Sequence, residues 1–313
     1  MIPDIISRLF AQTYDFIFEK ALLDWAWDDV ITAISSRQTA YQDTRAAYAH
    51  VLPILTSLAA GGQAEPAVPL AAAWVLYDLA SDIFDDLQDQ DGKDWPWNQW
   101  PPARGMNVGL SLIAAAEICL ATMPAPGDVQ TKILQSWART FARAVRGQVE
   151  QGGIGSLAQY FSHTAAKSGL IYANVAAAGT RLATGDSKVL QGIYDYGLAL
   201  GMIIQLKDDY RDVQAQNEVS DLNTGAYTLP VLYALSQKEH PCYPELRTRL
   251  QGKTTFTPAE VAAIHHLLTE MGALSYTFML ARGYEQKALA ALSSLPAAHV
   301  THLTTYVSGF FPS

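Results

Sequence analysis

Two acidic motifs of one form constrain this chain more than any other feature. The first, Asp-Asp-Leu-Gln-Asp at 85–89, ends an apolar run from Pro69 to Ala80 that only Asp78 interrupts. Helix formers dominate this stretch, so the pattern predicts one helix from about Pro69 to Asp89. In a helix, four carboxylates fall on one face: Asp82, Asp85, Asp86 and Asp89. Two like charges ~4 Å apart cost about 4 kcal/mol near a protein surface, so this face favours a divalent cation.

The second motif, Asp-Asp-Tyr-Arg-Asp at 208–212, repeats the arrangement. It follows residues 197–206, which are apolar apart from Gln205, so we predict a buried helix that ends in carboxylates. Asp208, Asp209 and Asp212 share a face of that helix. Two such motifs predict two facing carboxylate walls. Oxygen ligands of this kind suit Mg²⁺, which keeps waters and shares phosphate oxygens, so the predicted ligand is a diphosphate.

The paired motifs resemble those of the trans-type isoprenyl diphosphate synthases (polyprenyl synthetases), in the class I isoprenoid synthase group. The first motif matches at 85–89, and the second matches as Gly201-x-x-x-Gln205-x-x-Asp208-Asp209-x-x-Asp212. The similarity runs from about Leu52 to Leu232. It implies an all-α fold, in which residues 1–313 form a single-domain helical bundle around a deep central cavity, and it implies a homodimer.

The resemblance also implies a chemistry, the ionisation of an allylic prenyl diphosphate (C10–C20) with Mg²⁺ as cofactor. The implied metal ligands are Asp85, Asp86, Asp89, Asp208 and Asp212, and the implied catalytic set adds Asp209 and Lys167. Gln205, Lys207 and Arg211 are further candidates for substrate contact. Lys167 has independent support, because it is the only Lys or Arg from His163 to Thr180. A lone cation among small apolar residues needs an anion to offset its desolvation.

The helix before the first motif bears on prenyl chain length. In the family, bulk at the fourth and fifth positions before the motif limits that length. Here these positions are Ser81 and Ala80, both small. Tyr77 and Trp74, one and two turns further up the helix, are then predicted to form the floor of the pocket.

Three cationic elements of the family are replaced in this chain. Tyr-Ala-His-Val-Leu at 48–52 stands where a Gly-Lys-Arg-x-Arg-Pro signature holds isopentenyl diphosphate, and Lys93-Asp94-Trp95 stands where an Arg-Arg pair is usual. Ala226 stands where a Lys precedes x-Thr-Leu-Pro. Arg45 and His50 remain as candidates to bind a second anion, although surface positions are expected for both, and Lys93 or Arg104 could substitute. The electrostatics therefore weaken ordinary chain elongation.

The sequence does not identify the second substrate, and four interpretations of the function remain. These are elongation with isopentenyl diphosphate, transfer to another acceptor such as a peptide, intramolecular capture by a terpene cyclase, and a non-catalytic subunit of an active synthase. The loop Trp-Pro-Trp-Asn-Gln-Trp-Pro-Pro at 95–102 is open as well. Its indoles could stabilise a carbocation, or they could form a hydrophobic lid or a dimer contact.

Composition narrows the partners and the compartment. The net charge of −9 argues against nucleic acid as a partner. Cys119 and Cys242 lack metal or disulfide spacing, which is typical of a reduced cytoplasm. No signal peptide is predicted, since residues 1–6 already contain Pro3 and Asp4. No transmembrane segment is predicted either, because the uncharged stretch 46–64 is broken by polar and helix-breaking residues.

Overall fold

The computed structural model describes residues 2–89, 95–150, 155–214, 222, 227–253 and 255–310. The side chains at 89, 148–150, 214, 294, 297 and 298 lie outside this description. Every regular element within it is a helix, which confirms the predicted all-α class. The predicted single domain with a deep central cavity stays a prediction.

The helices follow one another through short connections. Their bounds are α1 Asp4–Phe16, α2 Asp28–Tyr41, α3 Ala47–His50, α4 Leu52–Ala59, α5 Val68–Asp89, α6 Pro102–Ala121, α7 Gly127–Glu150, α8 Leu157–Thr164, α9 Leu170–Ala183, α10 Ser187–Gln214, α11 Leu229–Ser236, α12 Tyr243–Leu250, α13 Pro258–Glu270, α14 Ala273–Ala291 and α15 Ala297–Val307. Two π-helical turns, Ile17–Ala21 and Ala165–Gly169, and three 3₁₀ turns, Glu65–Ala67, Pro96–Gln99 and Leu292–Ser294, complete the described elements.

The first of two compact units comprises Met1–Trp137, Val175–Ile193 and Ser294–Tyr306. Helix α5 is its centre, with α1, α2, α3, α4 and α6 packed around it. The sequence explains this position: the α5 stretch 70–80 is apolar on all sides except Asp78, and Pro69 stands in the first turn, where its missing N–H costs nothing. The predicted helix from Pro69 to Asp89 is therefore confirmed within one residue.

The second unit comprises Ala138–Asn174, Tyr194–Ser293 and Val307–Ser313. Its core gathers buried residues from the end of α10, from α11 to α13 and from the start of α14, among them Val213, Val231, Leu246, Ile264 and Leu268. Helix α13 begins with a capping box between Thr257 and Glu260, in which each side chain accepts a hydrogen bond from the other residue's backbone N–H. The second acidic motif lies on α10, so its helix is also confirmed.

Among the residues that the structure describes, three helical segments are long and apolar enough to cross a membrane: Glu65–Gln88, Pro102–Ala121 and Ser187–Val213. In the first, 78% of the most apolar window is buried inside the protein, so packing around α5 accounts for its composition. The window in Pro102–Ala121 is only 44% buried, so α6 keeps an apolar surface. The absence of a transmembrane segment stays a prediction.

Candidate functional site

The first acidic motif occupies the last two turns of α5. The side chain of Asp85 is partly buried, and that of Asp89 lies outside the described residues. Asp86 is held by the loop that follows α5, because its Oδ2 accepts hydrogen bonds from Trp97 Nε1 at 2.6 Å and from Asn98 Nδ2 at 3.1 Å. Both donors fix the orientation of this carboxylate.

An arginine of α2 that the sequence did not single out pairs with a carboxylate of α5 one helical turn before the motif. Arg37 of α2 is 1% exposed and pairs with Asp82 and, at 3.4 Å, with Asp78. Asp82 shares the acidic face of α5, but its carboxylate binds this guanidinium. The solitary Asp78 in an apolar run was a usable signal, because a buried carboxylate needs a cation or several donors.

The Trp-Pro loop packs onto the first motif. Its 3₁₀ turn, Pro96–Gln99, contacts α2 and α5, and the side chain of Trp97 is fully buried. The Trp95 and Trp97 rings stack with their centroids 4.8 Å apart and their planes at 8°. Trp97 is fully buried against α5 with its indole N–H on Asp86, so its side chain offers no surface for the expected dimer contact, while the expected lid stays a prediction.

The predicted pocket residues lie on the buried length of α5. Ala80 is fully buried, Ser81 is partly buried, and Tyr77 and Trp74 are both nearly buried. The Tyr77 hydroxyl donates to Glu117 of α6, while Trp74 Nε1 donates to the carbonyl of Ala49 at 2.9 Å. Each large side chain is therefore fixed by a hydrogen bond.

The second motif centres on a buried carboxylate, Asp209, which is 1% exposed. Its Oδ2 accepts from the Tyr160 hydroxyl at 2.6 Å and from the Leu229 backbone N–H at 2.9 Å, and its Oδ1 accepts from Gln205 Nε2 at 2.9 Å. Burial raises the pKa of Asp209, and the three hydrogen bonds oppose that rise. Burial and the nearby Asp209 charge raise the pKa of Tyr160, so the phenol keeps its proton and donates.

These contacts give the family-matched residues of α10 distinct roles. Asp209 acts as an anchor that joins α8, α10 and the start of α11, and its predicted catalytic role stays a prediction. Gln205 also lies within hydrogen-bond distance of the Ser168 hydroxyl, at 3.2 Å. Gln205 therefore orients Asp209 in this structure. Its predicted contact with the substrate stays a prediction.

The outer carboxylates of the second motif differ from its centre. Asp208 is exposed, and Asp212 is partly buried with its Oδ2 3.8 Å from His265 Nε2 of α13. Burial lowers the pKa of His265, a neighbour that the sequence did not indicate. Lys207 Nζ lies 5.1 Å from the centroid of the Phe310 ring, and Arg211 is exposed.

Lys167 lies in the π-helical turn Ala165–Gly169, a local geometry that is frequent at functional sites. Helix α10 passes this turn at very close range. A Cβ on Gly201 would lie 2.4 Å from the carbonyl oxygen of Ser168, so only glycine fits there. The family-matched Gly201 therefore sets the spacing between the turn that carries Lys167 and the helix that carries the second motif.

The candidate cations for a second anion have other partners. His50 is fully buried, with Nδ1 3.2 Å from the Tyr14 hydroxyl and Nε2 3.6 Å from Asp78. Its expected surface position is wrong, because rings of α1 and α2 enclose it. Arg45 donates to two carbonyls at the end of α15, and Arg104 pairs with Asp29. Lys93 and Ala226 lie outside the described residues.

The carboxylates fit a Mg²⁺ ion that is shared with phosphate oxygens of a substrate, rather than one held by protein ligands alone. Among the described side chains, no group of three or more His, Cys, Asp and Glu converges to hold a metal ion. Mg²⁺ is, however, commonly held by one or two carboxylates together with phosphate oxygens of a substrate rather than by a complete protein cage. Asp85 and Asp208, which begin the two motifs, fit that role, since the side chain of Asp85 is only partly buried and that of Asp208 is exposed.

Comparison with known proteins identifies the family. The polyprenyl synthetase model matches residues 44–269, most of the chain. The chain belongs to the polyprenyl synthetase family. It is therefore a transferase of the class that acts on prenyl diphosphates, and the resemblance seen in the two motifs is confirmed.

Individual relatives are distant but cover much of the chain. The geranylgeranyl diphosphate synthase of Methanosarcina mazei is 27% identical over 246 residues, 74% of either chain. The tryptophan prenyltransferase ComQ of Bacillus spizizenii is 25% identical over 75% of this chain and 83% of its own. A polyprenyl synthase from Caulobacter crescentus, solved with calcium and isoprenyl diphosphate, superposes with a TM-score of 0.83 at 26% identity, covering 98% of this chain and 94% of the other.

Proposed function

We propose that this polyprenyl synthetase relative ionises an allylic prenyl diphosphate (C10–C20) with Mg²⁺ and transfers the prenyl group to an acceptor that carries no diphosphate. The carboxylates of each motif would hold metal, Asp85, Asp86 and Asp89 in the first and Asp208 and Asp212 in the second, and the bound metal would neutralise the leaving diphosphate. Lys167 adds a fixed positive charge for the same group. The divalent cation and isoprenyl diphosphate in the Caulobacter crescentus relative support this part of the proposal.

The nature of the acceptor rests on one observation, the engagement of the candidate cations. A second diphosphate would need positive charge to offset its repulsion by the acidic motifs. His50 is enclosed in the core and has its pKa lowered by burial, while Arg45 and Arg104 are bound to carbonyls and to Asp29. An uncharged nucleophile carries no such repulsion. The similarity to a tryptophan prenyltransferase agrees with an acceptor of this kind.

The experiment separates the possible acceptors by product. The purified protein and Mg²⁺ are incubated with C10, C15 and C20 allylic diphosphates, each alone, with isopentenyl diphosphate, and with a tryptophan-containing peptide. We expect diphosphate release to depend on Mg²⁺ and the prenyl group to be recovered on the peptide. Longer prenyl diphosphates would instead show elongation, and cyclic hydrocarbons would show a terpene cyclase.

A matched control comes from the chain itself. Asp85→Asn removes the charge of one proposed ligand without changing side-chain size, and under every condition it should release diphosphate about 1,000-fold more slowly than the wild type. If neither the wild type nor any condition releases diphosphate, the proposal fails and a non-catalytic subunit remains. If isopentenyl diphosphate binds at micromolar concentration and is consumed, the acceptor assignment fails while Mg²⁺-dependent ionisation stands.

The assembly and the compartment are further parts of this proposal. We propose a homodimer that covers the apolar face of α6, where Met106, Leu110 and Ile118 are exposed. Exposed apolar surface of this kind favours association with another protein surface. Two unpaired cysteines agree with a reducing cytoplasm as the location. Light scattering of wild type and Leu110→Lys tests the dimer, since the charge should yield monomers.

A further inference from the structure

The second carboxylate of the first motif depends on a loop for its orientation. Asp86 Oδ2 accepts from Trp97 and Asn98, two neighbours in one short 3₁₀ turn. Hydrogen bonds to a carboxylate fix which oxygen faces the donors and which faces away. The geometry of the motif is therefore only as well defined as the position of this turn.

A buried cation, the guanidinium of Arg37, holds this 3₁₀ turn in place. The Arg37 guanidinium carbon lies 5.0 Å from the centroid of the Trp95 ring and 5.8 Å from that of Trp97, and the two rings stack on each other. These distances fall within the range of cation–π attraction, which is strengthened where water is excluded. Arg37 is 1% exposed, so its charge is desolvated against these rings.

The same guanidinium is also fixed on the side of α5. It donates to Asp82 and Asp78, and its Nη1 lies 3.1 Å from the Tyr41 hydroxyl within α2. The Arg37 guanidinium uses both its planar N–H donors and its stacking face, a combination that lysine cannot reproduce. Arg37 thus links the acidic face of α5 to the indoles that hold the motif.

We propose that Arg37 is a positioning residue for metal binding, acting through the Trp95–Trp97 stack and the Trp97 indole N–H on Asp86. It does not touch the metal or the substrate. Partners of this outer kind are typically worth about 10- to 100-fold in metal affinity. The inference rests on the proposed function, because it concerns the metal that the first motif would bind.

The test measures metal binding directly. Mn²⁺ is titrated into the protein with inorganic diphosphate present, and free Mn²⁺ is followed by electron paramagnetic resonance. Trp97→Phe keeps a ring but removes the N–H, and Arg37→Met removes the guanidinium. We expect each to weaken Mn²⁺ binding about 10-fold. Trp100→Phe changes an indole of the same loop that faces Arg104, and it should bind as the wild type does.

A second pair of variants separates positioning from a loss of folding. Trp95→Phe keeps a ring beneath the guanidinium and should retain binding, while Trp95→Leu should lose about 10-fold. If Arg37→Met does not fold, this pair still tests whether stacking on Trp95 supports metal binding. The Mn²⁺ concentration at which tryptophan fluorescence changes should be the same for wild type and Trp100→Phe and about 10-fold higher for Trp97→Phe.

The outcomes distinguish two failures. No Mn²⁺ binding by the wild type would overturn the proposed function and this inference with it. Wild-type binding that Trp97→Phe and Trp95→Leu leave unchanged would overturn the inference alone.

Discussion

The two acidic motifs have the same form but are held in different ways. Asp86, the second carboxylate of the first motif, receives two hydrogen bonds on one oxygen from adjacent residues of one loop. Asp209, its counterpart, receives three on both oxygens, from α8, from α10 and from the start of α11. In each motif the second residue is an anchor, but the first anchor depends on a loop and the second on three packed helices.

The surroundings of the motifs differ in a parallel manner. A buried arginine and two carboxylates lie beside the first motif, so charge pairing and ring stacking organise that region. Close backbone contact at Gly201 organises the second, and the π-helical turn with Lys167 rests against it. Changes of charge should therefore disturb the first motif most, and changes of volume the second.

The largest effect is expected where the motifs are alike, at their first residues. Asp85→Ala and Asp208→Ala should each reduce diphosphate release about 1,000-fold, since each removes one proposed ligand worth about 4 kcal/mol to the transition state. Circular dichroism should show that both variants keep their helices. Turnover close to wild type in either variant, or in excess chelator, would show that the metal is not held as proposed.

The next prediction compares the effect of added side-chain volume near the two motifs. Gly201→Ala places a Cβ 2.4 Å from the Ser168 backbone oxygen, while Gly109→Ala places one 2.6 Å from Cζ of the Phe84 ring. Backbone cannot yield as a ring end can, so we expect Gly201→Ala to lower the free energy of unfolding by about 3 kcal/mol and Gly109→Ala by about 1 kcal/mol. Urea titration measures both. Equal losses would remove the proposed contrast in packing.

The anchors themselves give a smaller contrast. Asp209→Ala leaves the Tyr160 hydroxyl, Gln205 and an N–H of α11 without their shared acceptor, and should cost about 2 kcal/mol of unfolding free energy. Asp86→Ala should cost about 1 kcal/mol, less than Asp209→Ala, because it leaves two donors rather than three without an acceptor and the Asn98 side chain is partly exposed. Asp209→Asn keeps an acceptor and serves as the control. A larger loss for Asp86→Ala would reverse the comparison.

The sequence predicted the parts of the molecule that depend on local pattern. The helices that carry both motifs, the all-α class and the family follow from periodicity and motif spacing. It missed Arg37, Tyr160 and the contact of Trp97 with Asp86, because these contacts join residues that are 11 to 49 positions apart. It also placed His50 at the surface, since nothing local shows that rings of α1 and α2 enclose that histidine.

The smallest expected effect concerns His50 and the charge network beside the first motif. Burial lowers its pKa below the usual 6.5, and Arg37 adds to this while Asp78 opposes it. The unfolded chain therefore takes up a proton at this histidine at higher pH than the folded protein does. The stability associated with neutral His50 should be complete above pH 6.5 and should fall as pH drops further, by at most about 1.4 kcal/mol per pH unit.

The matched variant for this test is Tyr14→Phe/His50→Phe, which removes both partners of a buried contact and leaves neither unsatisfied. Urea unfolding of wild type and variant is compared from pH 7.5 to 5.5. His265, whose pKa is also lowered by burial beside the second motif, is present in both proteins, so the difference isolates the first region. We expect the wild type to lose more stability than the variant over this range. Parallel pH dependences would show that His50 does not couple proton uptake to unfolding.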